Sequence, residues 1–212
     1  WERGWSVLAA SATEAAIELQ YDPAAAGAGA WPFAFRARQT FSLSGTADDA
    51  ALVATLSIEN AGDAAFPCGL GFHPFFPRSA ATTLGFRAGG VFDHDASLLP
   101  VAQVPIDDAR RFEPPRRVDD LALDHVYCGW DGHATIAQPD SGLVVELTAP
   151  PPATFLVVYV PRRGDFLAVE PVTHMTDAFN RAARGERGTG TRRLEPGAAL
   201  SCTMRIAARA LA

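Results

Sequence analysis

One histidine stands in a rigid, aromatic segment of the chain. His73 is the only histidine in the run Gly69-Leu70-Gly71-Phe72-His73-Pro74-Phe75-Phe76-Pro77. Because proline fixes its own φ and biases the preceding residue toward extended backbone, we expect His73 to project from the end of a strand. An imidazole held in that way is a candidate general acid or base. The competing interpretation is a core histidine that is hydrogen-bonded to a backbone carbonyl.

A carboxylate ends an apolar run further along the chain. Glu170 follows Phe166-Leu167-Ala168-Val169 and precedes Pro171. We expect partial burial at this position to raise the pKa of Glu170 toward neutrality, where a carboxylate can act as a general base. A salt bridge to an arginine is the alternative. His174 and Asp177 follow closely, and we expect packing or turn hydrogen bonds from both.

Acidic residues beside a tryptophan form a third candidate group. Leu123-Asp124-His125-Val126-Tyr127 is followed by Gly129-Trp130-Asp131-Gly132. Carboxylates accept hydrogen bonds from sugar hydroxyls and an indole covers the apolar face of a sugar ring, so Asp124 and Trp130 are predicted to bind a sugar. Asp131-Gly132 is a strong turn signal, which predicts a structural role for Asp131.

The composition excludes several classes of protein. All 18 basic side chains are arginine, so a Schiff-base aldolase, a pyridoxal enzyme or a P-loop NTPase lacks the lysine that it needs. A net charge of −6 gives no cationic field for nucleic acid. No apolar run approaches the roughly 20 residues of a membrane helix. We therefore expect neither nucleic acid nor membrane as a partner.

The cysteines and histidines do not indicate a metal or redox site. Three cysteines lie far apart without CxxC spacing, and the five histidines show no close same-face pair. A metal-dependent enzyme that uses some of His73, His94, His125, His133 and His174 is thus the weakest interpretation. We expect no cofactor, no metal and reduced thiols, which fit a cytoplasmic location.

Period-2 alternation of apolar and polar residues predicts many short strands. The clearest segments are 35–44, 52–59, 134–138 with 143–148 as a hairpin, 155–160 and 199–207. Frequent prolines and glycines, and the absence of a sustained 3.6-residue period, argue against long helices. The segment 93–120 is predicted to be a long irregular excursion. The fold class is therefore all-β, a large antiparallel β-sandwich, with residues 1–212 as one domain.

Three of these segments occur in the order seen in a known family. The runs GFHPFFP, LDHVYCGWDG and VEPVTHMTDAFN resemble aldose 1-epimerases (galactose mutarotase-like proteins), and the opening Trp1-Glu2-Arg3-Gly4-Trp5 is similar to the stretch just after that family's upstream histidine. The resemblance spans nearly the whole chain. It implies a large antiparallel sandwich, a chain that lacks the family's N-terminal segment, and a site that includes Arg3.

The resemblance also implies a reaction. Glu170 would be the general base on the anomeric hydroxyl of an aldohexose and His73 the general acid at the ring oxygen, while Asp124 would hold sugar hydroxyls. Ring opening, rotation and reclosure would exchange the α and β anomers without a cofactor. Phe75 stands where many relatives carry tyrosine, so a hydrogen bond from that hydroxyl would be lost.

Two alternatives stay open beside an isomerase that acts on a free aldohexose, and the second of them is a variant of that isomerase. One is a non-catalytic sugar-binding or sugar-sensing module on the same fold. The other is a phosphorylated hexose as substrate, whose phosphate Arg78 or the pair Arg162-Arg163 would meet.

Overall fold

The computed structural model describes residues 3–25, 31–46 and 49–211. In these ranges the chain forms strands and one short α-helix, α1 (Ala178–Ala183). The strands are β1 (Ser6–Ala10), β2 (Glu14–Tyr21), β3 (Phe35–Gly45), β4 (Asp49–Asn60), β5 (Phe66–Cys68), β6 (Phe75–Pro77), β7 (Thr83–Phe86), β8 (Gly90–His94), β9 (Pro100–Val104), β10 (Arg116–Arg117), β11 (Leu123–Cys128), β12 (His133–Gln138), β13 (Leu143–Thr148), β14 (Phe155–Val160), β15 (Phe166–Val172), β16 (Arg192–Leu194) and β17 (Ala199–Ala210).

Two large sheets make up the fold, and their strand pairs are antiparallel. The nine-stranded sheet has the order β1-β2-β3-β4-β17-β13-β12-β7-β10, and the six-stranded sheet has the order β6-β15-β14-β11-β8-β9. A small sheet pairs β16 with β5. The prediction of an all-β, antiparallel β-sandwich is confirmed.

The predicted strands agree closely with the observed ones, with one difference. The run 155–160 coincides with β14, and the predicted hairpin is the antiparallel pair β12 and β13. The last predicted strand, β17, lies between β4 and β13 in the middle of its sheet. The segment 93–120 is less irregular than predicted, because it contains β9 and β10.

The main core lies between the two large sheets. The six-stranded sheet contributes Leu156, Val158, Leu167 and Val169, all fully buried. These residues belong to β14 and β15, and they alternate with residues that point to the other face of the sheet. The nine-stranded sheet supplies the facing side chains, among them Leu84, Ile136, Leu147 and Met204.

A second, smaller cluster covers part of that other face. Phe92, Val126 and Phe155 pack there with Met175 and with Ala178 of α1. The helix and the loop that leads to it therefore cover one half of the face and leave the other half open. The functional candidates lie at this boundary.

No helix in the described ranges is long and apolar enough to span a membrane.

The three cysteines are free thiols: Cys68 and Cys202 are buried, and Cys128 is partly buried.

Candidate active site

The register of the six-stranded sheet brings His73 opposite Glu170. An isolated bridge pairs Gly71 with Val172. Four residues after Gly71 and four residues before Val172, Phe75 of β6 pairs with Ala168 of β15. His73 stands midway between the two pairs, where the facing residue is Glu170. Because side chains repeat with period 2 along a strand, both groups project from the same face.

The two side chains are in contact at the open half of that face. His73 Nε2 lies 3.3 Å from Glu170 Oε1. The imidazole is 46% exposed, whereas the carboxylate is only 11% exposed. The pair thus combines a group that a ligand can reach directly with one that is largely withdrawn from water.

Burial changes the chemistry of Glu170. Desolvation, followed by the negative charge of Asp124, raises the pKa of Glu170 to about 7. Both effects act in the same direction because each disfavours the ionised carboxylate. A carboxyl with this pKa exchanges protons readily at neutral pH, as a general base should.

Asp124 lies on the same face, two strands away from Glu170. Asp124 of β11 pairs with Tyr159 of β14, which pairs with Ala168 of β15. Adjacent strands are about 4.8 Å apart, so Asp124 and β15 are separated by roughly 10 Å. Strand β14 alone therefore separates the two strands that carry the carboxylates.

Phe75 lies against His73. The ring centroids are 4.5 Å apart with an interplanar angle of 23°, and the phenyl ring is 59% exposed. Phe166 packs edge-on against Phe75 at a centroid distance of 5.4 Å. The imidazole is therefore held by a stacked aromatic neighbour as well as by Glu170.

Trp130 is placed differently from the sequence prediction. Its side chain is 4% exposed and belongs to the main core between the sheets, and its indole N–H donates to the His133 carbonyl at 3.0 Å. An indole with both its surface and its donor used in this way has no face for a sugar, so we correct the prediction and assign Trp130 to the core. Asp131 accepts a hydrogen bond from the His133 backbone N–H at 3.1 Å, as its predicted turn role requires.

Arg3 is not brought to the His73–Glu170 pair. It lines an aromatic cavity of about 590 Å³, whose lining includes Tyr21 but neither His73, Glu170 nor Asp124. The Arg3 guanidinium lies over the Tyr21 ring, 5.2 Å from its centroid. Trp1 and Glu2, which precede it in the opening motif, lie outside the described residues.

His174 and Asp177 have the structural surroundings that the sequence predicted. The imidazole of His174 stacks on Phe179 with centroids 5.7 Å apart, and burial lowers its pKa. Asp177 precedes α1 in a left-handed conformation, with φ at 59°. Its carboxylate accepts hydrogen bonds from Asn180 and Arg184, which lower the pKa of Asp177.

Sequence reasoning missed residues on β14 that share the face of the pair. Val157 is directly opposite Glu170, and Tyr159 lies between Asp124 and Ala168. The run Phe155-Leu156-Val157-Val158-Tyr159-Val160 is apolar at every position, so it gives no sign of which residues face the open side. The hydroxyl of Tyr159 is the one polar side-chain group in the run.

Two histidines come closer than their sequence spacing suggested. The rings of His94 and His125 have centroids 4.8 Å apart, and His125 Nδ1 lies 3.3 Å from the Phe92 carbonyl oxygen. Burial, followed by electrostatic repulsion from the neighbouring His94, lowers the pKa of His125. Within the described ranges, no group of three or more His, Cys, Asp or Glu side chains is arranged to hold a metal ion.

The family model for aldose 1-epimerase matches residues 1–207. The chain therefore belongs to the aldose 1-epimerase family.

A curated relative matches most of the chain. Protein YphB of Escherichia coli (strain K12), which is uncharacterized, is 32% identical over 160 residues, and the match covers 72% of this chain and 54% of YphB. The chain thus spans about half the length of this curated relative.

Solved structures share the fold. A protein of Escherichia coli K12, provisionally assigned as an aldose 1-epimerase, superposes with a TM-score of 0.85 at 25% identity, over 100% of this chain and 70% of that one. A galactose mutarotase-like protein of Clostridium acetobutylicum gives 0.80 at 15% identity, over 97% and 66%. Galactose 1-epimerase of Lactobacillus acidophilus NCFM gives 0.74 at 15% identity, over 97% and 66%. The last two likenesses concern the fold alone.

Proposed function

We propose that this protein interconverts the α and β anomers of a free aldohexose, with Glu170 as general base and His73 as general acid. The observation that carries the proposal is the 3.3 Å contact between the two groups on an open sheet face. The anomeric oxygen and the ring oxygen of a pyranose are bonded to the same carbon. An acid and a base that serve both oxygens must therefore act close together.

Ring opening is a pair of proton transfers. The Glu170 carboxylate removes the proton from the anomeric hydroxyl, the C1–O5 bond breaks, and His73 gives its proton to O5. The product is an open-chain aldehyde, with the carboxyl now protonated and the imidazole neutral. Positioned proton transfer of this kind contributes ~10²- to 10⁴-fold to a rate.

Ring closure uses the same two groups with their roles exchanged. After rotation about the C1–C2 bond, O5 attacks the other face of the carbonyl carbon. Neutral His73 accepts the proton from O5, and Glu170 returns its proton to O1. The enzyme ends in its starting state, and the net change is the configuration at C1.

Asp124 has a binding role in this scheme. Its carboxylate lies at the far side of the face from the reacting carbon and accepts hydrogen bonds from sugar hydroxyls. Its negative charge also contributes to the raised pKa of Glu170, after burial. Asp124 therefore orients the sugar and makes Glu170 a stronger base.

The exposed surface around the pair suits an uncharged sugar. Phe75 and Phe166 present carbon surface beside His73. Arg78, one of the arginines considered for a phosphate, donates instead to the Gly164 carbonyl at 2.6 Å. We accordingly propose a free aldohexose as the substrate.

The experiment is polarimetry on freshly dissolved α-glucose and α-galactose, with the wild-type protein beside Glu170→Gln. The amide keeps the size of the side chain and removes its basicity, so acceleration of anomer exchange should disappear. Circular dichroism checks that the variant is folded. Equal acceleration by both proteins would contradict the role of Glu170. Saturable binding without acceleration by the wild type would identify a sugar-binding module instead.

A further inference from the structure

Strand β14 runs between the two carboxylates of the site. Its partners are β11, which carries Asp124, and β15, which carries Glu170. The pairs Asp124–Tyr159 and Val157–Glu170 place Tyr159 and Val157 on the same face as the carboxylates. A ring that spans Glu170 and Asp124 has to pass over these two side chains.

We propose that Tyr159 is a substrate-binding residue on which the sugar ring rests, with its phenol hydroxyl bonded to a sugar hydroxyl near the one that Asp124 holds. The inference rests on the proposed function, because it places the reacting carbon at Glu170. An aromatic face covers the C–H side of a pyranose, while a phenol both donates and accepts a hydrogen bond. Tyr159 provides both an aromatic face and a phenol hydroxyl, and its strand lies between those of Asp124 and Glu170.

The surroundings of Tyr159 fix its ring. Phe166 packs against it at a centroid distance of 6.2 Å and at 46°. Ala168, the neighbour of Tyr159 on β15, is small and fully buried. Tyr159, Phe166 and Phe75 therefore lie around this alanine, and their rings form a continuous aromatic surface that leads to His73.

Tyr127 shows what a purely structural tyrosine looks like in the same sheet. It lies on β11 and faces the main core, is fully buried, and donates its hydroxyl to the Arg110 carbonyl at 3.1 Å. Tyr159 faces the opposite side and is partly exposed. Within the described residues its hydroxyl bonds no protein group. Its donor is thus available to a ligand.

The test separates binding from catalysis. The probes are the 1-deoxy analogues of glucose and galactose, which have no anomeric hydroxyl and cannot exchange anomers. Their dissociation constants are measured by titration calorimetry on wild type, Tyr159→Phe and Tyr159→Val. Valine suits the ring-deleting variant because it is favoured in strands and occupies three other positions of β14.

We expect a graded loss. Removal of the hydroxyl should raise Kd by roughly 3- to 10-fold, the range of one hydrogen bond, and removal of the ring by more than about tenfold. With α-glucose, KM should rise in both variants while kcat at saturation changes less than threefold, because Tyr159 touches neither transferred proton. Asp124→Asn is the positive control for weakened binding.

Each outcome bears on the inference. Unchanged probe affinity in Tyr159→Phe and Tyr159→Val, beside weakened affinity in Asp124→Asn, overturns it. So does a wild type that binds neither probe. If the wild type binds the probes and accelerates no anomer exchange, while the Tyr159 variants bind weakly, the proposed function fails and Tyr159 stays a sugar-binding residue. If Tyr159→Val does not fold, Tyr159→Phe decides alone.

Discussion

Asp124 acts on Glu170 across one intervening strand. The two carboxylates occupy the same face of the six-stranded sheet, on β11 and β15, with β14 between them. Burial is the first cause that raises the pKa of Glu170 to about 7, and the charge of Asp124 is the second. The reactivity of the proposed base is therefore set partly by a residue that we assign to substrate binding.

The rate of anomer exchange should depend on pH through Glu170. Its carboxyl must be ionised to take a proton, so kcat/KM should fall below pH about 7 by roughly tenfold per pH unit. Polarimetry from pH 5 to pH 8 at low sugar concentration measures this limb. A flat profile over the range would contradict the assignment of Glu170 as the base.

Replacement of Asp124 by Asn should have two effects that can be separated. Loss of the neighbouring negative charge lowers the pKa of Glu170, so the acid limb of the profile moves to lower pH. Loss of a hydroxyl-binding carboxylate raises KM at every pH. Asp140→Asn, in the exposed turn between β12 and β13, removes the same charge elsewhere and is the control. An acid limb that stays in place in Asp124→Asn is the contradicting result.

Glu170 should make the free energy of unfolding decrease as pH rises, which is opposite to the effect of a carboxyl whose pKa is lowered by folding. Because the folded-state pKa of Glu170 is above that of the unfolded chain, the native state binds more protons between pH about 4.5 and about 7, and stability falls as pH rises through this window. Glu170→Gln removes this effect. The variant should be more stable than wild type at pH 8, by about 3 kcal/mol at most, and the gain should shrink toward pH 5.

Urea unfolding of both proteins at pH 5 and pH 8 measures the effect. A stability difference that is the same at both pH values would mean that Glu170 does not titrate as the structure indicates.

Trp130→Phe should affect stability and leave sugar binding unchanged. Phenylalanine keeps most of the buried surface but leaves the His133 carbonyl without its donor, at a cost of about 1–3 kcal/mol. KM for α-glucose should match that of the wild type. A rise in KM without a loss of stability would contradict the core assignment and indicate that Trp130 binds the sugar.

Phe75 should matter through the imidazole on which it stacks. Phe75→Leu removes the aromatic neighbour of His73 and should lower kcat by roughly 2- to 10-fold, the equivalent of one aromatic contact. Phe75→Tyr keeps the stacked ring and should retain wild-type kcat. An equal loss of kcat in both variants would contradict a role of Phe75 through stacking, because tyrosine keeps the stacked ring.

Much of the fold was predictable from alternation alone. The strand Phe35–Gly45 has one face that is regularly more apolar than the other, and this pattern located it to within one residue. His73 and Glu170 were recognisable because an imidazole before proline and a carboxylate at the end of an apolar strand are unusual. Residue type and local sequence carry that information.

Other features depend on tertiary structure that the sequence does not display. Trp130 is buried because the second sheet lies over it, and a Trp beside acidic residues looks the same in a core and in a sugar site. Tyr159 was hidden in a strand that is apolar on both faces. Its relation to Asp124 and Glu170 follows from the order of β11, β14 and β15, which no local pattern specifies.

The alternation along β15 has an evolutionary consequence. Leu167 and Val169 point into the core, whereas Ala168 and Glu170 point to the open face. Substitutions of Ala168 or Glu170 can therefore change which ligand binds without repacking the core. The sheet thus tolerates divergence of specificity at a nearly constant fold. An insertion of one residue has the opposite effect, because it exchanges the two faces and would abolish both the core and the site at once.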